Sequence, residues 1–115
     1  MKSVCVAFAV LVLVPLVACR MPADAERESI KRGHAVAQKW CSGCHQISRD
    51  QALPPDRPAW AQGPSFVEIV RSPNVDRAYL RGLASEFYFP MPAFHLQEKD
   101  QEDVISYMLA LRGQL

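Results

Sequence analysis

The 115-residue chain has almost no excess charge, because 13 lysines and arginines are balanced by 12 aspartates and glutamates. A protein that binds nucleic acid without sequence preference needs a basic surface, so this composition argues against a nucleic-acid partner. Hydrophobic residues make up 50% of the chain, too many for an intrinsically disordered protein. The length allows one domain at most, which excludes enzymes built from separate cofactor and substrate domains.

Segments that alternate apolar and polar residues, the pattern of half-buried β-strands, are also missing. Apolar and small residues instead recur every three or four positions, on one face of a helix, at Ile30, Gly33 and Ala37 and again at Val104, Tyr107, Met108 and Leu111. The sequence therefore predicts an all-α protein. Its helices are expected over residues 24–40, 66–71, 75–85 and 97–111, with a proline-rich loop over residues 49–64.

The longest apolar run, residues 4–19, falls short of the roughly 20 residues that span a bilayer, and Pro15 interrupts it. Lys2 precedes this run, and a short basic segment followed by an apolar one is typical of an export signal. The alternative is an uncleaved membrane anchor. An exported protein folds in a compartment where thiols are oxidised.

Two cleavage sites compete at the end of this signal. Leu16-Val17-Ala18-Cys19 is similar to a bacterial lipobox, directly after the apolar run. It predicts a signal peptide over residues 1–18, a lipid on Cys19, a tether over residues 19–25 and a folded domain over residues 26–115. The expected location is then the periplasm, with the protein anchored to a membrane by its N-terminal lipid. The alternative, cleavage after Ala25, predicts a soluble periplasmic protein.

Cys41, Cys44 and His45 form the C-x-x-C-H motif of haem c attachment. Two thiols at this spacing can project from one side of a tight turn and reach the two vinyl groups of one porphyrin. The imidazole that follows can then bind the iron. One covalent haem c would also stabilise a domain of this size, because it adds a large apolar surface to the core.

The alternatives for this motif are a zinc site, a thioredoxin-like dithiol and a structural disulfide. Structural zinc usually has four ligands, and the remaining histidines, His34 and His95, are not spaced as a second ligand pair. A thioredoxin-like site belongs to a βαβ unit, which the helical pattern does not support. A bare disulfide would leave His45 without a role. The motif therefore favours haem c.

The second axial ligand of the iron must come from another part of the chain. Met91 lies between Pro90 and Pro92, whose rings restrict the backbone and could hold the thioether over the distal face of the haem. Met91 is therefore the predicted ligand. The open alternatives are His95, His34, Met108 and a vacant sixth position.

Four segments follow one another along the chain: the attachment motif, Gly63-Pro64-Ser65-Phe66, Met91-Pro92 and the closing DVISYMLAL sequence. In this order they resemble a small bacterial monohaem cytochrome c of class I. The resemblance covers residues 26–115. It implies the cytochrome c fold, in which three to five helices surround one covalently attached haem and the N- and C-terminal helices cross.

The resemblance also implies roles for individual residues. Gly33 would allow the terminal helices to approach closely, with Tyr107 opposite, and the Pro64 carbonyl would accept a hydrogen bond from the His45 ring. One departure from the family is Gln101, which stands where an aliphatic residue is frequent.

The function implied by the resemblance is electron transfer rather than enzymatic catalysis. With His45 and Met91 in both axial positions, the iron has no site for a substrate. We expect a carrier in a respiratory or dehydrogenase-linked chain, with a dehydrogenase or quinol-oxidising complex as donor and a terminal oxidase or reductase as acceptor. The alternatives are a dedicated subunit of one oxidoreductase complex and a haem enzyme or gas sensor with an open sixth position.

Overall fold

The structure is a computed structural model that describes residues 22–53, 55–86 and 96–115, except the side chain of Trp60. Its ordered elements are four α-helices and one short 3₁₀ turn, with no strand among the described residues. The prediction of an all-α protein is thus confirmed. The helices are α1 (Pro22–Trp40), α2 (Phe66–Arg71), α3 (Arg77–Ser85) and α4 (Glu98–Arg112), and the 3₁₀ turn is Ala59–Ala61.

Two element boundaries differ from the prediction. Helix α1 already includes residues 22–25, so this part of the predicted tether is helical. Proline at position 22 suits a first helical turn, where its missing N–H would have no partner in any case. Helix α3 begins at Arg77 rather than at Val75, because the Asp76 carboxylate caps it by accepting a hydrogen bond from the Tyr79 amide at 2.8 Å.

Helix α2 has a capped start, whereas α4 has a weaker one. The Ser65 hydroxyl accepts from the Glu68 amide at 3.1 Å, which is an N-cap hydrogen bond. Gln97 occupies the corresponding position before α4, and its side chain makes no capping hydrogen bond. None of the helices in the described ranges combines the length and the apolar composition needed to cross a membrane.

The terminal helices α1 and α4 cross at Gly33 and form the main helix contact of the fold. A Cβ atom on Gly33 would lie 2.9 Å from the Tyr107 Cβ and still closer to the Asp103 carbonyl oxygen. The backbones can approach this closely only because residue 33 has no side chain. Helix α4 also packs on α2 and α3, so it is the central element of the fold.

Asp103 is a buried carboxylate at this crossing, and only 4% of the residue is exposed. It accepts hydrogen bonds from Arg32 Nε at 2.7 Å, from Lys99 Nζ at 2.7 Å and from the Ser29 hydroxyl at 2.6 Å. The hydrogen bond from Arg32 is the largest of the effects that hold the pKa of Asp103 well below its usual range. Because Ser29 and Arg32 belong to α1, the carboxylate joins the two helices beside Gly33.

Tyr107 connects the crossing to the segment that follows the C-x-x-C-H motif. Its hydroxyl donates to the Ile47 carbonyl at 2.8 Å, and burial raises the pKa of Tyr107. Its ring contacts His34 edge-on, with 5.1 Å between the ring centroids. Ile47 and Tyr107 belong to one core that also contains Ala37, Phe66, Val70, Leu80, Val104, Ile105, Met108 and Leu111.

Candidate functional site

The C-x-x-C-H motif forms a tight turn at the end of α1. The amides of Cys44 and His45 donate to the Cys41 carbonyl at 3.1 and 2.9 Å, and the Cys41 amide continues the helix by donating to the Ala37 carbonyl at 2.8 Å. Cys41 and Cys44 are both free thiols and both half-buried. The turn therefore brings the two thiols and the imidazole into one short segment.

A cavity of about 860 Å³ opens beside this turn and is lined by Cys41, Cys44 and His45. This volume lies in the upper part of the range of cofactor and ligand sites. Much of the remaining wall is aliphatic and comes from α2, α3 and α4, through Ile69, Leu80, Leu83, Val104, Ile105 and Met108. The cavity thus offers two thiols and one imidazole to a large, mainly apolar ligand.

The His45 ring is held in one orientation. Its Nδ1 lies 2.7 Å from the Pro64 carbonyl oxygen, which can only accept, so Nδ1 carries the proton and Nε2 is left with a lone pair for a metal. On another side, a Cβ atom on Gly63 would lie 2.5 Å from Nδ1 and 2.8 Å from Nε2. The Phe66 ring lies 5.6 Å away, centroid to centroid. These contacts fix both the tautomer and the position of the imidazole.

The loop after the motif binds back to the turn through contacts that the sequence patterns did not reveal. Arg57 donates to the Cys44 carbonyl, which also accepts from the Gly63 amide at 2.8 Å. Gln51 accepts from the Ile47 amide at 2.8 Å and donates to the Ser42 carbonyl at 3.3 Å. The loop carries no periodic signal, so only the accumulation of polar residues between its prolines could have suggested such contacts.

The Cys41 thiol lacks the electrostatic signature of a reactive thiol. Burial raises the pKa of the Cys41 thiol to about 11, and the neighbouring Cys44 adds to the increase. Dithiol oxidoreductases need the opposite shift, because their nucleophile is the thiolate. No group of three or more His, Cys, Asp or Glu side chains that could hold a metal ion occurs in the described part of the chain.

The candidates for the second axial ligand differ in whether the structure describes them. The predicted ligand Met91 and the alternative His95 lie outside the described residues. The predicted lipidation site, Cys19, lies outside them as well. His34 is exposed on α1, packs against Tyr107 and does not line the cavity. Met108 does line the cavity but is 7% exposed within the core of α4. Of His34 and Met108, only Met108 therefore lines the cavity, and it is packed in the core.

A family comparison agrees with this site. The family described as Cytochrome c matches residues 30–112, which is most of the chain and includes the whole motif. The chain belongs to the cytochrome c family. A curated relative, Cytochrome c-552 of Bradyrhizobium diazoefficiens, is 30% identical over 80 residues, which cover 70% of this chain and 72% of the relative. No solved structure matches the chain at a significant level.

The chain is accordingly a small c-type cytochrome of class I, whose cofactor is a covalently attached haem c and whose chemistry is electron transfer. The local structure fits this cofactor. The cavity is large and mainly apolar, two free thiols border it, and the Gly63 backbone lies so close to the His45 ring that a Cβ atom there would collide with it. A c-type cytochrome exchanges electrons with other redox proteins, so such proteins are its partners in general terms.

Proposed function

We propose that this cytochrome carries single electrons in a respiratory or dehydrogenase-linked chain, with Cys41 and Cys44 attached to the haem and His45 and Met91 bound to its iron. The observation that carries the proposal is the position of both thiols and a tautomer-fixed imidazole on the wall of one apolar cavity. The donor would be a dehydrogenase or quinol-oxidising complex, and the acceptor a terminal oxidase or reductase.

The bound haem supplies a reversible one-electron couple. The chain supplies the geometry around it. The bond from Nδ1 to the Pro64 carbonyl leaves Nε2 as the atom that would bind the iron, and this hydrogen bond would also raise the basicity of the imidazole. Phe66 and the aliphatic side chains of α2, α3 and α4 give the cavity a mainly apolar wall. A packed wall of this kind would help to keep the site similar in both oxidation states.

Met91 is proposed as the second ligand because its flanking prolines stiffen the segment that presents it. Ligation from both sides leaves no position for oxygen or a substrate, which suits a carrier rather than an enzyme. If Met91 does not bind, His95 is the next alternative, followed by an open sixth position.

Attachment to a membrane through a lipid on Cys19 is the proposed way of keeping the cytochrome near its partners. Two lipid chains would anchor it stably, since each buried methylene contributes about 0.8 kcal/mol. Only residues 20 and 21 separate Cys19 from the first residue of α1. The haem domain would then stay close to the periplasmic face of the membrane, which raises its effective concentration at membrane-bound oxidoreductases. The intact mass of the native protein tests this, because a mature chain that starts at Glu26 without acyl groups would contradict it.

The electron-transfer proposal is tested on the purified holoprotein in two steps. Haem should stay with the denatured chain during acid–acetone extraction, and the Cys41→Ala and Cys44→Ala variants should give little holoprotein. The wild type should titrate as one reversible one-electron couple and should not bind carbon monoxide, whereas Met91→Ala should bind it. Haem that leaves with the solvent would contradict covalent attachment. Carbon monoxide binding by the wild type would contradict ligation of the iron from both sides.

Met ligation has its own spectroscopic marker. The ferric wild type should show the weak long-wavelength absorption band of a methionine-ligated c-type haem, and Met91→Ala should lose it. A ferric spectrum that is unchanged in Met91→Ala would transfer the ligand role to His95, which the His95→Ala variant would then test.

A further inference from the structure

Gln101 is a polar residue in the wall that α4 contributes to the haem cavity. The other α4 side chains on this wall are Val104, Ile105 and Met108, all of them apolar and buried. Gln101 is half-buried, so its amide is partly withdrawn from water. An amide dipole in such surroundings acts on a nearby charge more strongly than it would in solvent.

The amide group of Gln101 is tied to the backbone. Its Nε2 donates to the Leu96 carbonyl at 3.1 Å, and Leu96 also lines the cavity. The Gln101 main-chain amide donates to the Gln97 carbonyl at 3.0 Å, in the first turn of α4. The side chain is therefore restrained at both ends, and its dipole keeps a defined position relative to the cavity.

Such a dipole has a predictable effect on a haem bound in the cavity. The oxidised haem carries one more positive charge than the reduced haem, and an apolar environment penalises the more highly charged form. A fixed dipole in the wall relieves part of this penalty when its negative end is nearer to the haem. Because the Gln101 Nε2 is bound to the Leu96 carbonyl, we infer that the amide oxygen, the negative end, is the end nearer to the haem. We propose that Gln101 lowers the reduction potential of this cytochrome relative to an aliphatic residue at the same position. The proposal rests on the proposed binding of haem between the C-x-x-C-H turn and α4.

The test is a redox titration of the holoprotein, monitored by visible absorption at neutral pH, for the wild type, Gln101→Leu and Gln101→Glu. At the wild-type midpoint, Gln101→Leu should raise the ratio of reduced to oxidised protein by about threefold to tenfold, where tenfold corresponds to 59 mV for a one-electron couple. Gln101→Glu should lower the ratio, because its carboxylate is ionised at this pH and stabilises the oxidised haem.

The two variants separate polarity from structure. Neither leucine nor an ionised glutamate can donate to the Leu96 carbonyl, so both lose that hydrogen bond. If the bond alone controlled the potential, both variants would shift it in the same direction, and the proposal would be overturned. A ratio within twofold of the wild type in Gln101→Leu would overturn it as well.

Gln97→Leu is the matched control, since Gln97 is exposed at the start of the same helix and does not line the cavity. Its ratio should stay within twofold of the wild type. If Gln101→Leu does not fold, Gln101→Met offers an unbranched apolar side chain of similar length. Loss of covalent haem in the wild type would refute the proposed function instead, and acid–acetone extraction detects this independently of the potential.

Discussion

Replacing Gly63 with alanine would add one methyl group beside the His45 ring. The new Cβ would lie 2.5 Å from Nδ1 and 2.8 Å from Nε2, which is inside van der Waals contact, so the ring or the loop must move. The steric cost of adding a methyl group to a well-packed site is about 1–3 kcal/mol. Weakening of the bond from Nδ1 to the Pro64 carbonyl would remove up to about 0.5–1.5 kcal/mol more.

Two measurements follow from this perturbation. The melting temperature of the Gly63→Ala holoprotein should fall, by about 4–8 °C for each kcal/mol in a domain of this size. Its reduction potential should rise, because a weaker hydrogen bond at Nδ1 makes the imidazole less basic and a less effective ligand for the oxidised iron. A purely structural loss would lower the melting temperature without moving the potential.

Gly82 provides the control for this substitution. It lies in α3 and does not line the cavity, and a Cβ atom at this position would meet no other atom within 4 Å. Gly82→Ala should therefore leave the potential unchanged and should not lower the melting temperature. If Gly63→Ala behaved like Gly82→Ala in both measurements, the close approach of Gly63 to the imidazole would not constrain the site, and the reasoning would be refuted.

Two further predictions concern stability. Gly33→Ala should destabilise the protein by at least about 1–3 kcal/mol, because the added Cβ would collide with the Asp103 carbonyl. Gly82→Ala should stabilise it by about 0.5–1 kcal/mol, because the space around Gly82 in α3 is open. A denaturation midpoint equal to that of the wild type would contradict either prediction. The lowered pKa of Asp103 contributes stability above the usual aspartate pKa of about 3.9, and this contribution is lost as the pH falls below that value. The unfolding free energy of Asp103→Asn should therefore depend less on pH in this acidic range, and a slope equal to that of the wild type would count against the prediction.

Helices and the attachment motif could be predicted because their signals are local. The spacing of Val104, Tyr107, Met108 and Leu111 places α4 within one residue of its observed bounds, and the C-x-x-C-H spacing is sufficient to suggest a haem. The contact between His45 and Pro64 joins residues 19 positions apart, and no local pattern implies it. It was expected only because the chain resembles a known family.

Polar contacts explain most of what the patterns missed. Asp103 is buried beside the apolar face of α4. A search for apolar periodicity does not detect a buried carboxylate. Arg57 and Gln51 act through main-chain carbonyls and amides of the turn, which carry no sequence signal. The start of α3 was misplaced because Ser72 and Asn74 also suit a cap, while the structure uses Ser72 in a turn and Asp76 for the helix.

Helix α4 links the stability of this cytochrome to its redox chemistry. One of its faces meets α1 through Asp103 and Tyr107, and another forms the cavity wall through Gln101, Val104 and neighbouring residues. Because close-packed elements transmit strain, a shift of α4 at the crossing would also shift the wall. Gly33→Ala should consequently alter the reduction potential in addition to the stability, although Gly33 does not line the cavity. Gly82→Ala, which leaves the crossing intact and lies outside the cavity wall, should leave the potential unchanged.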